Sequence, residues 1–269
     1  MPDTNISASQ LKAVLIDLDG VLYVGGTPIP EARETLDWLI ENQIPHLFLT
    51  NTTSRPLREI RYKLKRMGFD LEESGILTPV IAANQWCMKH RIYRALMLVP
   101  EVTMEDFEIE PVALTDTASA QAVIVGDLGY DWNYKLLNQA YRVLLANKDC
   151  EFLALGMTRH WKDEEGPRLD VAPFVKALEY ATDREARVLG KPSELLFRQG
   201  CDNLGAKPGN TLMIGDDIRT DVQGAQLAGL KGALVKTGKF REQDLKQDIV
   251  PDLILESFAD LPEWWKLNS

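Results

Sequence analysis

Residues 13–20 read AVLIDLDG, an apolar run that ends in two carboxylates and a glycine. Such a run is typical of a strand that is buried on both faces of a parallel sheet. Asp17 and Asp19 are two positions apart, so a strand that continues through them places both side chains on the same side. Gly20 lets the chain turn at that point. The segment therefore predicts a buried strand whose carboxyl end carries two neighbouring carboxylates.

Further strands and helices alternate along the rest of the chain. This repetition favours parallel sheets with right-handed crossovers, and the predicted fold class is α/β. The first predicted helix begins after Pro30 and places Ala32, Leu36, Leu39 and Ile40 on one face. The other predicted elements are helices over 54–68 and from 78 to about 91, and strands over 46–50, 95–99, 122–125, 151–155, 211–214 and 232–235.

Four polar segments follow predicted strands and form the candidate site. Ligands of open α/β sheets bind beyond the carboxyl ends of the strands, which is where these segments are expected to lie. The segments are 17–20, 50–54, 190–192, and 215–217 together with Asp221.

The carboxylates of these segments point to a cation. Asp17, Asp19 and Asp216 would repel one another unless a positive charge neutralised them, and an all-oxygen ligand set favours Mg²⁺. Lys191 and Thr50 can then bind the oxygens of a phosphoryl group. Taken singly, each Asp is explained as a turn former or helix cap, and Lys191 as an exposed loop lysine. The functional interpretation rests on the set.

The segments DLDGVLY (17–23), LTN (49–51), GKP (190–192) and GDDIRTD (215–221) resemble, in order, the four motifs of the haloacid dehalogenase-like superfamily of phosphotransferases. The resemblance implies a Rossmann-like core with a parallel sheet. Thr50 and Lys191 are 141 positions apart, more than the core needs, and this is similar to the type IIA capped, NagD-like branch. We therefore predict a discontinuous catalytic core over 1–91 and 187–269, with an inserted α/β type C2 cap over 92–186.

The resemblance also implies a role for each motif residue. Asp17 is the expected nucleophile, and Asp19 the general acid and base. The expected phosphate-binding residues are Thr50, Asn51 and Lys191. The expected metal site comprises Asp17, the backbone carbonyl of Asp19 and Asp216, with Asp217 and Asp221 as supporting residues.

The loop GMTRHWKDEEGPRLD (156–170) lies in the predicted cap, which selects substrates in this family. The residues expected to line the substrate pocket are Arg159, His160, Trp161, Lys162 and Asp170. An alternative is that Trp161 packs under a loop and that the charged side chains form a solvated face. Two departures from the family pattern also bear on specificity: Thr52 stands where many members have Asn, and Asp217 where some have Arg.

Composition limits the possible partners. The chain has 40 acidic and 30 basic residues and a net charge of −10, so binding to nucleic acid or to an anionic membrane is not expected. Cys87, Cys150 and Cys201 show no paired spacing, which indicates reduced thiols. Neither a membrane-length apolar run nor a signal peptide is evident, so a cytoplasmic location is predicted.

The predicted function is Mg²⁺-dependent hydrolysis of small phosphorylated metabolites through an aspartyl-phosphate. Phosphoamidase or inorganic pyrophosphatase activity is an alternative within the same family. A non-catalytic phosphate-binding protein or a receiver-like signalling protein is an alternative from another class, although a receiver has no general acid two residues beyond its Asp. Relatives of the type IIA branch associate through their caps, which implies a homo-oligomer.

Overall fold

The computed structural model describes residues 6–163, 165–246 and 248–269, without the side chains of Thr117, Lys162 and Asp163. The predicted pocket residue Lys162 therefore lies outside the described side chains. In chain order the strands are β1 (Ala13–Asp17), β2 (Tyr23–Val24), β3 (Thr27–Pro28), β4 (His46–Leu49), β5 (Ile76–Leu77), β6 (Arg94–Leu98), β7 (Glu110–Pro111), β8 (Ala122–Val125), β9 (Glu151–Ala154), β10 (His160–Asp163), β11 (Gly166–Leu169), β12 (Arg187–Val188), β13 (Thr211–Gly215), β14 (Lys231–Val235) and β15 (Leu253–Leu255).

The α-helices lie between these strands, except for the last one, which follows β15. They are α1 (Ala32–Glu41), α2 (Leu57–Arg66), α3 (Pro79–Lys89), α4 (Tyr134–Ala146), α5 (Ala172–Thr182), α6 (Glu194–Asn203), α7 (Gly224–Leu227) and α8 (Leu261–Leu267), and a π-helical segment covers Ile218–Gln223. Among the residues described, none of the helices combines the length and the apolar character needed to cross a membrane.

The chain divides into two compact units. Unit 1 comprises residues up to Thr50, Ile60–Leu77 and Lys191–Ser269, and unit 2 comprises Asn51–Glu59 and Thr78–Gly190. Unit 2 thus includes α3, which the sequence analysis assigned to the core. The boundaries of a catalytic core and a cap at residues 92 and 186 stay a prediction.

Unit 1 is built on a six-stranded parallel sheet in the order β15-β14-β13-β1-β4-β5. The central strand β1 pairs Ile16 with Ile214 of β13 on one side and with Phe48 of β4 on the other. Every residue of β1 and β13 is buried, as expected for strands covered on both faces. The carboxyl ends of β1 and β13 therefore lie side by side in the middle of the sheet.

Unit 2 has its own parallel sheet, in the order β12-β9-β8-β6-β7. Its apolar core packs strand residues such as Val123 and Phe152 against Val143 of α4 and Val175 of α5. The hairpin β10-β11 is a separate antiparallel pair within this unit. Together, the two parallel sheets confirm the α/β fold class and the presence of a second α/β unit.

Each predicted apolar run is a strand in the structure. The predicted start of α3 is confirmed, since Thr78 accepts a hydrogen bond from the Ile81 N–H at 3.2 Å and so caps the helix. α1 begins at Ala32, after Pro30 as predicted, whereas α2 begins at Leu57 and not at residue 54. The predicted face of α1 is wrong at one position. Ala32, Leu36 and Leu39 are buried, but Ile40 is 62% exposed. Leu36 and Leu39 already fill the buried stripe, and Ile40 lies at its solvent side.

Candidate active site

Three buried carboxylates come together at the carboxyl end of the unit 1 sheet. Asp17 is the last residue of β1, Asp216 directly follows β13, and Asp221 lies in the π-helical segment. One oxygen atom from each carboxylate lies within 4.8 Å of the others. The strand-end rule used on the sequence explains why Asp17 and Asp216 meet, because neighbouring parallel strands end at the same edge.

Lys191 forms ion pairs with two of these carboxylates. Its Nζ lies 2.8 Å from Asp17 Oδ1 and 2.7 Å from Asp221 Oδ1, and its side chain is 4% exposed. A lysine can be buried to this extent when carboxylates at hydrogen-bond distance offset its desolvation. The exposed-loop alternative for Lys191 is therefore wrong, since the residue is part of the carboxylate cluster.

Asp221 fits into the cluster because β13 ends in glycine. A Cβ on Gly215 would overlap the Asp221 side chain. Asp221 Oδ2 also accepts a hydrogen bond from the Asp217 N–H at 3.1 Å. The segment 215–221 thus turns back on itself and presents Asp221 Oδ1 to Lys191.

Asp217 caps the π-helical segment. Its Oδ1 accepts hydrogen bonds from the N–H groups of Arg219 and Thr220, both at 3.0 Å. Partial burial would raise the pKa of Asp217, but these bonds outweigh burial and lower the pKa below its usual value. The contacts of this oxygen serve the helix start, and the predicted supporting role towards a metal stays a prediction.

Asp216 lies in a narrow glycine-lined recess. Its Oδ2 accepts a hydrogen bond from the Lys239 N–H at 2.7 Å. A Cβ on Gly20 or on Gly238 would overlap the Asp216 carboxylate, and both glycines have positive φ, +89° and +62°. Thr237 Oγ1 donates a hydrogen bond to the Gly20 carbonyl, which ties the loop after β14 to the loop after β1.

Burial raises the pKa values of the three carboxylates in this cluster. Burial and the charge of Asp221 raise the pKa of Asp216 to about 6. Burial also raises the pKa of Asp221 to about 6 and raises the pKa of Asp17, although the Lys191 ammonium opposes both shifts. For Lys191, burial lowers the pKa, but the charges of Asp17 and Asp221 outweigh burial and raise it above its usual value. The carboxylates are therefore only partly compensated by the protein.

The cluster fits a hard divalent cation. Its ligand atoms are all carboxylate oxygens, the class that such cations prefer. Asp216 Oδ1 is buried without a hydrogen-bond partner among the described residues, and a bound cation would satisfy it. Asp17, Asp216 and Asp221 are the side chains that could hold this ion, with Asp221 also bound to Lys191.

Asp19 and Thr50 lie at the carboxyl ends of β1 and β4, which are also neighbours in the sheet. Asp19 follows β1, forms an isolated bridge with Tyr23 and is exposed, unlike the buried Asp17. Thr50 follows β4, is 7% exposed, and its N–H donates to the Leu77 carbonyl at 3.2 Å. Asn51 is the next residue along the chain and belongs to unit 2.

The predicted pocket residues of the cap loop lie on or beside the hairpin β10-β11 of unit 2. Arg159 and His160 are exposed, and Trp161 is 40% exposed. Asp170 is half-buried, and its Oδ1 accepts a hydrogen bond from the Val171 N–H at 2.7 Å. Burial is the main cause of its raised pKa. The role of these residues in selecting substrates stays a prediction.

The sequence analysis missed two cationic residues. One lies beside Trp161 in unit 2, and the other beside Asp216 in unit 1. Arg168 lies over the rings of Tyr130 and Trp161, 3.9 and 5.4 Å from their centroids. Lys239 follows β14, the neighbour of β13, and binds Asp216 through its backbone. The rule that polar residues after strand ends form the site points to the segment after the run at 232–235, but the first polar residues there are Lys236 and Thr237, and Lys239 follows only after them.

Comparisons with known proteins agree with the fold and the cluster. A family model described as haloacid dehalogenase-like hydrolase matches residues 14–109, and a HAD-hydrolase-like model matches 188–261. Haloacid dehalogenase-like hydrolase domain-containing protein 2 of Bos taurus is 39% identical over 92% of this chain and 93% of its own. Phospholysine phosphohistidine inorganic pyrophosphate phosphatase of Xenopus laevis is 36% identical over 94% of this chain and 92% of its own.

A solved structure supports the same assignment. The 4-nitrophenylphosphatase of Thermotoga maritima superposes with a TM-score of 0.84 at 25% identity, covering 95% of this chain and 98% of its own. The chain belongs to the haloacid dehalogenase-like hydrolase family. The predicted family, its NagD-like type IIA branch and the prediction of a hydrolytic enzyme are confirmed.

Proposed function

We propose that the protein is a Mg²⁺-dependent phosphatase that hydrolyses small phosphorylated molecules through an aspartyl-phosphate. The observation that carries this proposal is the buried cluster of Asp17, Asp216 and Asp221 around Lys191. The phosphatase names of the Xenopus laevis and Thermotoga maritima relatives support the same reaction class.

Asp17 is the proposed nucleophile. Its Oδ1 accepts hydrogen bonds from the Leu18 N–H and from Lys191 Nζ, both at 2.8 Å. These bonds fix the carboxylate and leave Oδ2 as the atom that attacks phosphorus. A bond then forms between Oδ2 and phosphorus while the bond to the leaving oxygen breaks, and Asp19 gives that oxygen a proton.

Asp19 acts again in the second step. Its carboxylate, now ionised, takes a proton from a water molecule that attacks the phosphorus of the aspartyl-phosphate. The bond between phosphorus and Asp17 breaks, inorganic phosphate is released, and both carboxyl groups return to their starting states. The exposure of Asp19 suits this role, because the same group must reach both the leaving oxygen and solvent water.

The remaining residues bind and neutralise the phosphoryl group. The Thr50 hydroxyl and the Lys191 ammonium are proposed to donate hydrogen bonds to its oxygens, and Asn51 to support them. Mg²⁺ held by Asp17, Asp216 and the Asp19 carbonyl, with Asp217 and Asp221 as supporting residues, would supply Lewis-acid neutralisation of the phosphate charge. Mg²⁺ would also favour the ionised forms of Asp17, Asp216 and Asp221, whose pKa values burial raises.

The test is hydrolysis of 4-nitrophenyl phosphate by the purified protein. We expect turnover with Mg²⁺, loss of turnover with excess EDTA, and recovery when Mg²⁺ is restored. Asp17→Asn should abolish turnover, because the amide cannot form the acyl phosphate. Mg²⁺-loaded protein that is inert towards 4-nitrophenyl phosphate and a broad panel of phosphometabolites would contradict the proposal.

Inorganic pyrophosphatase or phosphoamidase activity is a second candidate. The name of the Xenopus laevis relative favours it. Comparing kcat/KM for pyrophosphate, a phosphoamidate and phosphate monoesters would distinguish these substrates. A homo-oligomer formed through the cap and a cytoplasmic location also stay predictions.

A further inference from the structure

The loop after β14 is fixed against the carboxylate cluster by its backbone. The Lys239 N–H donates to Asp216 Oδ2 at 2.7 Å, and Thr237 Oγ1 donates to the Gly20 carbonyl. Gly238 turns the chain with φ +62° where a Cβ would overlap Asp216. The main chain at Lys239 is therefore held in place, and its side chain extends from a defined point at the site.

The Lys239 ammonium, in contrast, is weakly engaged. Its side chain is 67% exposed, and within the described part of the chain its one ion pair is with Asp217 Oδ2 at 3.8 Å. This separation is too long for a hydrogen bond. Asp217 in turn uses its other oxygen to cap the π-helical segment. An exposed pair at this distance contributes little, so the ammonium can turn to another anion.

The carboxylates of the cluster nevertheless affect the pKa of Lys239. Partial desolvation lowers its pKa, but the carboxylates of Asp216, Asp17, Asp217 and Asp221 outweigh desolvation and raise it. Its Nζ lies 3.8 Å from Asp217 Oδ2, and its backbone N–H binds Asp216, so the ammonium extends from the edge of the carboxylate cluster. Lys191 has a different position, since it is buried between Asp17 and Asp221.

We propose that Lys239 is a specificity-determining residue that binds negative charge on the leaving group of the substrate. This inference rests on the proposed phosphatase function and deepens it. The buried Lys191 binds the transferred phosphoryl group in this proposal, and the exposed Lys239 binds the leaving group that is attached to the phosphorus. Substrates in which the part attached to the transferred phosphoryl group is already anionic when bound, such as inorganic pyrophosphate, are therefore favoured over substrates in which that part is uncharged, such as 4-nitrophenyl phosphate.

The kinetic test compares Lys239→Gln with wild type on pyrophosphate and on 4-nitrophenyl phosphate at fixed free Mg²⁺. Loss of one charge-assisted contact should raise KM for pyrophosphate about tenfold and change KM for 4-nitrophenyl phosphate less than twofold. Lys239→Arg should restore most of the preference. Added salt should weaken pyrophosphate binding more in wild type than in the variant.

Lys236→Gln is the matched control. Lys236 is three residues away on the same segment, but its ammonium pairs with Glu256 Oε1 at 2.6 Å. Its removal subtracts the same formal charge from the protein and should leave the ratio of the two kcat/KM values unchanged. An equal effect of Lys236→Gln and Lys239→Gln, or an equal effect of Lys239→Gln on both substrates, overturns the proposal.

A binding experiment separates this inference from the proposed function. Calorimetry with Asp17→Asn protein, which cannot turn over, measures pyrophosphate and inorganic phosphate affinity with and without Lys239→Gln. We expect about tenfold weaker pyrophosphate binding in the double variant and little change for phosphate. Unchanged pyrophosphate affinity overturns the role of Lys239, whereas inactivity of wild type in the presence of the expected binding difference overturns only the proposed hydrolysis.

Discussion

Lys191 lies within 2.8 Å of two carboxylates in a site where its side chain is 4% exposed. A buried ion pair is a weak source of net stability, since desolvation of both partners offsets their attraction. Removal of one partner has a larger effect, because the other charge is left buried without compensation. At Lys191 this effect applies to Asp17 and Asp221 together. The residue therefore couples the stability of unit 1 to the chemistry of the site.

We predict that Lys191→Met lowers the free energy of unfolding by about 3–5 kcal/mol, as expected when a buried pair is broken. Urea denaturation in EDTA measures this change. Mg²⁺ should recover part of the loss, since the cation replaces the missing positive charge. Lys207→Met is the control, because Lys207 is an exposed lysine of the same unit. A loss below 1 kcal/mol for Lys191→Met would contradict the assigned role.

Asp19 is exposed, in contrast to the buried Lys191. Asp19→Asn should therefore change the free energy of unfolding by less than about 0.5 kcal/mol. Turnover should nevertheless fall by about 10² or more, because proton transfer to the leaving oxygen is lost, while KM changes little. Steady-state kinetics and urea denaturation of one preparation test both statements. Full kcat in the variant would show that the acid and base assignment is wrong.

At the scale of elements, the site depends on how β13 ends. Gly215 closes the strand, and the π-helical segment Ile218–Gln223 returns Asp221 over it, with Asp217 as the cap. The absence of a Cβ at Gly215 is what lets the Asp221 side chain occupy its position. β13 and the π-helical segment thus pack so closely that no residue larger than glycine fits at position 215.

Gly215→Ala should therefore displace Asp221 from Lys191. We expect the free energy of unfolding to fall by about 1–3 kcal/mol, the usual cost of overpacking, and Mg²⁺-induced stabilisation to decrease. Gly209→Ala is the matched control, because a Cβ at Gly209 meets no atom within 4 Å. Thermal denaturation of both variants with and without Mg²⁺ measures the effect. Equal behaviour of the two variants would argue against the steric role of Gly215.

The sequence predicted the elements whose signals are local. The apolar runs of β1 and β13 are long enough to be recognised, and residues after their ends, Asp17 and Asp216, meet as expected. Strands of two residues, such as β5 and β12, have no periodicity to detect. The pairing of Lys191 with Asp221 depends on the return of a helical segment over β13, and spacing along the chain does not encode that contact.

For the molecule as a whole, the net charge of −10 acts against the binding of an anionic substrate. Asp17, Asp216 and Asp221 concentrate part of this charge in one buried place. Lys191 offsets one unit of it. A divalent cation offsets the two that remain, so a phosphate no longer meets a net negative charge at the cluster. For the proposed phosphatase we therefore expect cation binding to precede productive phosphate binding, and the protonation of the cluster to control the affinity for the cation.

The pKa values of Asp216 and Asp221 are both raised to about 6, so these carboxylates take up protons as the pH falls through that value. Without metal, the folded protein holds more protons than the unfolded chain between about pH 4 and pH 6, so these groups lower stability as pH rises through that window. With Mg²⁺, protons compete with the cation instead. Apparent Mg²⁺ affinity should therefore fall by about tenfold per titrating carboxylate between pH 7.5 and pH 5.

Mg²⁺ titrations followed by the melting temperature at the two pH values measure this dependence. Sodium chloride of equal ionic strength controls for general screening. Asp216→Asn removes one of the two titrating groups, so the variant should bind Mg²⁺ more weakly at pH 7.5 and lose less of its remaining affinity at pH 5. Mg²⁺ affinity that is equal at both pH values in wild type would show that these buried carboxylates do not hold the ion.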